Sequence, residues 1–167
     1  MKPLESPQPS VVRLFPDYGD TVLWLDLPID YELTSLPEDL VDELRAWELS
    51  YYASLTPEIS WKSAALATRF TEEGNRLAQR VADELGPGFE IEFRSYQEGV
   101  PTRRFRGVAA ANATAVAAFT ALVTASRDEQ SGISNALASS GQGETTGLYA
   151  YAPRSGSVFK PPPAGQK

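Results

Sequence analysis

The chain has 167 residues, of which 42% are hydrophobic and 22% are charged, and its formal net charge at pH 7 is −7. This length and apolar content suffice for one compact domain with a hydrophobic core. The chain contains no cysteine and no histidine, which excludes disulfides, thiolate nucleophiles, imidazole bases and the usual zinc sites. The sequence also lacks the glycine motifs of phosphate-binding and dinucleotide-binding loops. We therefore predict no cofactor and no metal.

The first ten residues read M-K-P-L-E-S-P-Q-P-S. A secretory signal would show a charged region followed by an apolar one, and this polar, proline-broken start does not. We expect a flexible N-terminus over residues 1–9 and a cytoplasmic protein.

Residues 10–27 are predicted to form a β-hairpin, because β-branched and aromatic runs flank a cluster of proline, aspartate and glycine. Asp17 and Asp20 lie around Gly19 in this cluster, which raises the question of a metal site. A calcium loop needs further oxygen ligands at alternating positions, and they are missing. We interpret the cluster as a turn, and Tyr18 and Trp24 beside it as core aromatics or, alternatively, as the lining of a small ligand pocket.

A helix is predicted over residues 36–52, with Ser35 as its cap and a buried stripe that includes Leu40, Leu44 and Trp47. The remaining faces carry five acids against a lone Arg45. These acids are Glu38, Asp39, Asp42, Glu43 and Glu48. Asp39, Asp42 and Glu43 have the i, i+3, i+4 spacing of one helical face, so we expect them to be exposed together.

A second helix is predicted over residues 61–85, ended by Gly86 and Pro87. Gly74 occupies a position on its apolar face where a large residue would otherwise fall, which predicts the close approach of another element. Around Gly74 the cluster Glu72, Glu73, Asn75 and Arg76 is the best local candidate for a polar site. The favoured interpretation is an exposed Glu72–Arg76 pair, with Glu73 bound to an arginine of the sheet; a ligand site at Glu73 and Arg76 is the alternative.

The segment F-E-I-E-F-R-S-Y alternates with period two and predicts a half-buried strand at residues 89–95. Arg103, Arg104 and Arg106 follow in a second strand, where they are suitable cross-strand partners for the glutamates. Residues 107–126 carry no charge, but their alanine and threonine content favours a helix against the sheet over a membrane span. From residue 127 the chain is rich in Ser, Gly, Ala and Gln, which is typical of a disordered tail.

The order of these signals resembles a group of actinobacterial proteins without an assigned activity. The resemblance covers residues 11–125 and includes D-Y-G, L-W and the two helical segments. Its motif residues are Asp17, Tyr18, Gly19, Leu23, Trp24, Trp47, Phe70, Glu73, Gly74, Leu85 and Gly86. The resemblance implies a compact cytoplasmic domain and identifies no catalytic residue.

Together these elements predict the α+β class. We expect a small antiparallel sheet of two hairpins packed with about three helices in a single domain over residues 10–126, and a low-complexity tail over 127–167.

The charge map is the most informative functional signal. Residues 1–98 contain 19 acids and 8 bases, whereas residues 99–167 contain 3 acids and 7 bases. A dense surface of one sign accelerates association with a cationic partner and repels nucleic acids and anionic membranes.

We therefore predict a non-catalytic acidic binding module, such as an immunity or inhibitor protein for a basic protein partner. The predicted contact residues are Asp17, Asp20, Asp39, Asp42 and Glu43. The alternative is a small-ligand or carboxylate-based enzyme domain, with a site at Tyr18, Trp24, Glu73 and Arg76. The sequence does not indicate an oligomeric state.

Overall fold

A computed structural model describes residues 7–139, 150–152 and 157–159 of the chain. Its principal sheet has four strands in the order β2-β1-β3-β4. The strands are β1 (Ser10–Leu14), β2 (Leu23–Trp24), β3 (Phe89–Phe93) and β4 (Arg103–Phe105). The α+β class is confirmed, and so are the two predicted antiparallel hairpins, β1–β2 and β3–β4.

The two hairpins are joined by β1 and β3, which pair in parallel with Val12 opposite Ile91. The sequence interpretation did not include this parallel pair. Val12, Leu14, Ile91 and Phe93 alternate inward and are fully or almost fully buried, as the period-two pattern requires. On the outer face of the β3–β4 hairpin, Arg104 bridges Glu90 at 3.3 Å and Glu92 at 2.9 Å, which confirms the predicted cross-strand pairing for this arginine. Arg103 instead lies over the ring of Phe105, and Arg106 donates to the Pro87 carbonyl.

Helix α1 (Glu38–Ala53) follows a short 3₁₀ turn at Tyr31–Leu33. The predicted Ser35 cap is wrong, because Pro37 occupies the N-cap position and no side chain caps the helix. Proline fixes φ near −65°, so it tolerates this position without supplying a donor. The buried stripe is confirmed at Leu40, Leu44 and Trp47.

Helix α2 (Ala64–Leu85) begins with a cap from Ser63, whose Oγ accepts a hydrogen bond from the Leu66 N–H at 3.2 Å. The predicted close approach at Gly74 is confirmed. A methyl group at this position would lie 2.6 Å from Cε1 of Phe93 and 2.8 Å from Cζ2 of Trp47. Gly74 therefore lets α2 pack directly on β3 and α1.

Helix α3 (Ala113–Ser139) begins where Oδ1 of Asn112 accepts a hydrogen bond from the Ala115 N–H at 3.0 Å. Ala115 and Phe119 are fully buried, and the ring of Phe119 meets that of Phe89 edge-on at 6.0 Å. The helix thus adds its apolar face to the same core. No helix in the described part of the chain is both long enough and apolar enough to cross a membrane.

The predicted tail boundary is wrong at its N-terminal end, because α3 continues through residues 127–139. Ser126 contributes to this extension by donating a hydrogen bond to Asp26 at 3.0 Å, and Gln130 also donates to Asp26. Two further short strands, β5 (Ala150–Ala152) and β6 (Ser157–Phe159), pair antiparallel. The rest of the predicted tail, and residues 1–6 of the predicted flexible N-terminus, lie outside the described residues.

Candidate functional site

The acids predicted on α1 meet arginines from α2. Arg80 contacts Asp39 at 3.3 Å and Glu43 at 2.8 Å, and Arg76 contacts Glu43 and Glu73. We call these five residues the interhelical clamp. Asp39 stays 70% exposed at its side chain, whereas Glu43 is 37% exposed. The sequence placed one arginine near the α1 acids, but the fold brings two more.

The clamp has a clear electrostatic signature. Hydrogen bonding and charge from Arg76 lower the pKa of Glu43, with a further contribution from Arg80. Glu73 and Glu43 in turn raise the pKa of Arg76. Two predicted contacts are wrong: the Glu72–Arg76 pair and the contact of Glu73 with an arginine of the sheet. Arg76 instead forms ion pairs with Glu73, three residues before it on α2, and with Glu43 of α1. Asp42 lies outside the clamp, 3.9 Å from Arg45.

The segment Asp17–Asp20 forms the turn between β1 and β2, and the Phe15 N–H closes it by donating to the Val22 carbonyl at 2.9 Å. Tyr18 and Asp20 adopt left-handed backbone conformations with φ of 53° and 58°. Such conformations are uncommon for residues other than glycine and cost free energy. Gly19 lies between them against the ring of Trp24. A Cβ added to Gly19 would lie only 3.0 Å from Cη2 of that ring, which is a tight contact. No group of three or more potential metal ligands occurs in the part of the chain that the structure describes.

This turn rests on the C-terminal half of α1. The ring of Tyr18 stacks on that of Tyr52 with centroids 4.4 Å apart, and the Tyr18 N–H donates to the Tyr52 hydroxyl at 2.6 Å. The Tyr52 hydroxyl donates to Oε2 of Glu48 at 3.3 Å. Tyr18 nevertheless remains 73% exposed. We call Tyr18, Asp20, Glu48 and Tyr52 the turn surface.

Glu48 is the residue that the sequence interpretation misplaced. It was assigned to an exposed face of α1, but it is only 8% exposed. Glu48 lies four residues after Leu44 and three before Tyr51, so it falls inside the apolar stripe. A carboxylate within an otherwise apolar stripe was the signal in the sequence that could have indicated a buried acid.

The electrostatics of the turn surface differ from those of the clamp. Burial raises the pKa of Glu48, the negative charge of Asp20 adds to the increase, and the hydrogen bond from Tyr52 opposes it. Burial is also the main cause of the raised pKa of Tyr52. Among the described residues, neither Asp20 nor Glu48 has a cation within 4 Å.

The alternative ligand site does not assemble as predicted. Within the described part of the chain, no hydrogen bond, ion pair or ring contact joins Glu73 or Arg76 to Tyr18 or Trp24. Glu73 and Arg76 belong to the clamp, whereas Trp24 stacks on Phe15 at 5.0 Å. A cavity of about 180 Å³ does lie beside Trp24 on the outer face of the sheet. Its lining includes Arg13, Phe15, Glu92, Arg94 and Tyr96.

Comparison with known families resolves the class of protein. A family described as Serratia CdiI immunity protein-like matches residues 10–96, more than half of the chain. The chain belongs to this family. No curated protein matches it.

The CdiI-like match runs from β1 to just after β3. It therefore includes the turn surface, both helices of the clamp and the cavity beside Trp24, and it leaves β4 and α3 outside. Membership of an immunity protein-like family supports the immunity-type role that the charge map indicated. The basic character of the partner stays a prediction.

Proposed function

We propose that this protein is a cytoplasmic, non-catalytic immunity protein that neutralises a toxin by binding it, and that the toxin presents a basic surface. The family assignment supports the immunity role. The formal net charge of −7 supports a basic partner, because opposite charge accelerates encounter and suppresses wrong partners.

The observation that carries this proposal is the state of the acids in the turn surface. Among the described residues, Asp20 and Glu48 face no cation within 4 Å, and Tyr18 stands 73% exposed beside them. Tyrosine is enriched where protein interfaces concentrate their binding free energy. An exposed aromatic ring bordered by unneutralised carboxylates is therefore complementary to a basic protein surface.

The acids on α1 have a smaller part in this proposal than the sequence suggested. Glu43 already contacts Arg76 and Arg80, so a partner would compete with charges that the fold itself supplies. Asp39 and Asp42 remain well exposed and extend the acidic surface. We place the main contact at Tyr18, Asp20 and Glu48, with Asp17 preceding them in the same turn, and a peripheral contact at Asp39 and Asp42.

Growth protection tests the proposed function. The tagged protein would be recovered from its source cells at low salt, and the co-purifying toxin would be expressed in a sensitive host with and without this chain. We expect the wild-type chain to restore growth and Asp17→Asn/Asp20→Asn to lose much of the protection. Asp39→Asn/Asp42→Asn is the matched control, with the same charge change and a smaller expected loss.

Two outcomes of the protection assay would contradict the proposed function. Protection without a stable complex would indicate that the chain acts on the toxin catalytically, and a complex through an acidic toxin surface would contradict the electrostatic part of the proposal. Thermal unfolding of both double variants shows whether a lost effect reflects binding or folding.

A further inference from the structure

Glu48 has an unusual environment for a carboxylate. Its side chain is more than nine-tenths buried, yet only Oε2 receives a hydrogen bond, from the Tyr52 hydroxyl. Among the described residues, Oε1 accepts no hydrogen bond and has no cation within 4 Å, and it is not one of the fully buried atoms that lack a partner, so it reaches the surface. A carboxylate that is mostly buried and has no cation beside it is poorly solvated, so a positively charged donor that reaches Oε1 from the surface would stabilise its charged form.

The nearest basic side chain on the same helix does not supply this donor. Arg45 lies three residues before Glu48, but its guanidinium sits 5.1 Å above the ring of Tyr31 and 3.9 Å from Asp42. The last turn of α1 contains no basic residue.

The groups around Glu48 are suited to one kind of cation. Asp20 lies two residues after Tyr18, whose N–H is linked to Glu48 through the Tyr52 hydroxyl, and its negative charge contributes to the raised pKa of Glu48. We therefore expect both carboxylates to be within reach of one donor group. The stacked and exposed ring of Tyr18 lies at the same turn. A guanidinium is planar, stacks on aromatic rings and donates to carboxylates in a fork, whereas an ammonium is a compact and strongly hydrated charge.

We propose that Tyr18, Asp20 and Glu48 form a socket for an arginine side chain of the bound toxin. This inference rests on the proposed immunity function and specifies its central contact. The guanidinium stacks on the Tyr18 ring and donates to Asp20 and to Oε1 of Glu48. The left-handed conformations at Tyr18 and Asp20 hold the ring and the carboxylate at the turn before the toxin arrives, which reduces the ordering cost of binding.

Short peptides test the socket independently of the toxin. The probes are acetyl-Gly-Arg-Gly-amide and its citrulline counterpart, which has nearly the same shape but no charge, together with a lysine version. Binding to the full chain is followed by NMR, through the Glu48 side-chain carboxyl carbon and the backbone amides of residues 17–20. We expect the arginine peptide to shift these signals, the lysine peptide to bind more weakly, and the citrulline peptide to leave them unchanged.

Variants separate the socket from general attraction to an acidic protein. Glu48→Gln and Tyr18→Ala should each weaken the arginine peptide by roughly fivefold or more. Glu38→Gln makes the same charge change at an exposed position of the same helix and should leave binding unchanged. Equal binding of arginine and citrulline peptides, or equal losses in Glu48→Gln and Glu38→Gln, would overturn the socket.

The growth assay keeps the two proposals distinguishable. A chain that protects cells but whose Glu48→Gln variant binds the arginine peptide normally has the proposed function without this socket. A chain that binds the arginine peptide at Glu48 but protects against no toxin has the socket, and the proposed function is then wrong.

Discussion

Gly74 shows how one residue sets the distance between three elements. A methyl group there would lie 2.6 Å from Cε1 of Phe93 and 2.8 Å from Cζ2 of Trp47, in two large rings of the core. Alanine improves helix propensity by about 1 kcal/mol, but overpacking costs about 1 to 3 kcal/mol or more. Because the methyl group would clash with two buried rings, we expect an overpacking cost of about 3 kcal/mol. The net effect of Gly74→Ala should then be a loss of about 2 kcal/mol in the free energy of unfolding, measured by urea denaturation.

Gly88→Ala is the control for Gly74→Ala, because no atom of the described residues, apart from the two chain neighbours of Gly88, lies within 4 Å of the position that its methyl group would take. It should change the stability by less than about 0.5 kcal/mol. Equal effects of the two substitutions would show that α2 does not need the close approach at Gly74.

Glu48 gives a prediction with a defined sign. Burial raises its pKa in the folded state, so the folded chain holds this proton more tightly than the unfolded chain. The free energy of unfolding should then fall as pH rises from the ordinary carboxyl pKa through the raised one. Glu48→Gln should remove this decline and make the protein more stable than wild type at pH 7.

Urea denaturation at pH 7 and near pH 4 measures this effect, and the difference between Glu48→Gln and wild type should shrink at the lower pH. Glu38→Gln, at an exposed position, should match wild type at both. A loss of stability in Glu48→Gln at pH 7 would mean that the charged carboxylate stabilises the fold, contrary to the absence of a cation beside it in the described structure.

At the scale of elements, the interhelical clamp joins α1 to α2 through Arg76 and Arg80. Because Glu43 contacts both arginines, its removal leaves two guanidinium groups near each other. We expect Asp39→Asn/Asp42→Asn/Glu43→Gln to lower the free energy of unfolding by about 1 kcal/mol, within the range of partly exposed ion-pair networks. Without the clamp, three like charges at this spacing would oppose the helix slightly, and their removal would cost the fold nothing.

Asp42→Asn alone is the control for the clamp, since the Asp42 side chain is 69% exposed and, among the described residues, forms an ion pair only with Arg45, at 3.9 Å. It should cost less than about 0.5 kcal/mol. The loss in the triple variant should diminish at high salt, because salt screens exposed charges. A triple variant as stable as wild type would show that the clamp does not contribute to helix docking.

The elements themselves were largely predictable because their patterns are local. Trp47 and its stripe, the alternation at Phe89 to Phe93 and the capping chemistry after Leu85 each specify an element over a few residues. The parallel pairing of β1 with β3 links residues about 80 positions apart, and no local pattern encodes such a pairing. The extension of α3 to Ser139 was missed because Ser and Gly reduce helix propensity, whereas tertiary contacts of Ser126 and Gln130 with Asp26 support it.

The candidate site shows the same division. The sequence identified Asp17, Tyr18 and Asp20 because these residues are neighbours in the chain and form a local turn pattern. It did not identify Glu48 as their neighbour, since their proximity depends on how the β1–β2 turn packs on α1. It also could not anticipate that Arg76 and Arg80 neutralise Glu43, because that contact needs the packing of two helices.

At the scale of the whole molecule, the fold divides the acids of α1 and of the β1–β2 turn between two surfaces. The clamp uses the acids of the first turns of α1 to hold two helices together, and the turn surface keeps Asp20 and Glu48 without a cation among the described residues. The central claim is that the second surface, and not the first, guides a basic toxin to this protein.

The association rate constant with the toxin, measured by stopped flow at low and high salt, tests this claim most directly. Asp20→Asn/Glu48→Gln should slow association by roughly tenfold at low salt, and the difference should fade at high salt. Asp39→Asn/Asp42→Asn, with the same change in charge, should slow it by roughly threefold or less. Equal slowing by both double variants, or an unchanged rate for Asp20→Asn/Glu48→Gln at low salt, would contradict the account.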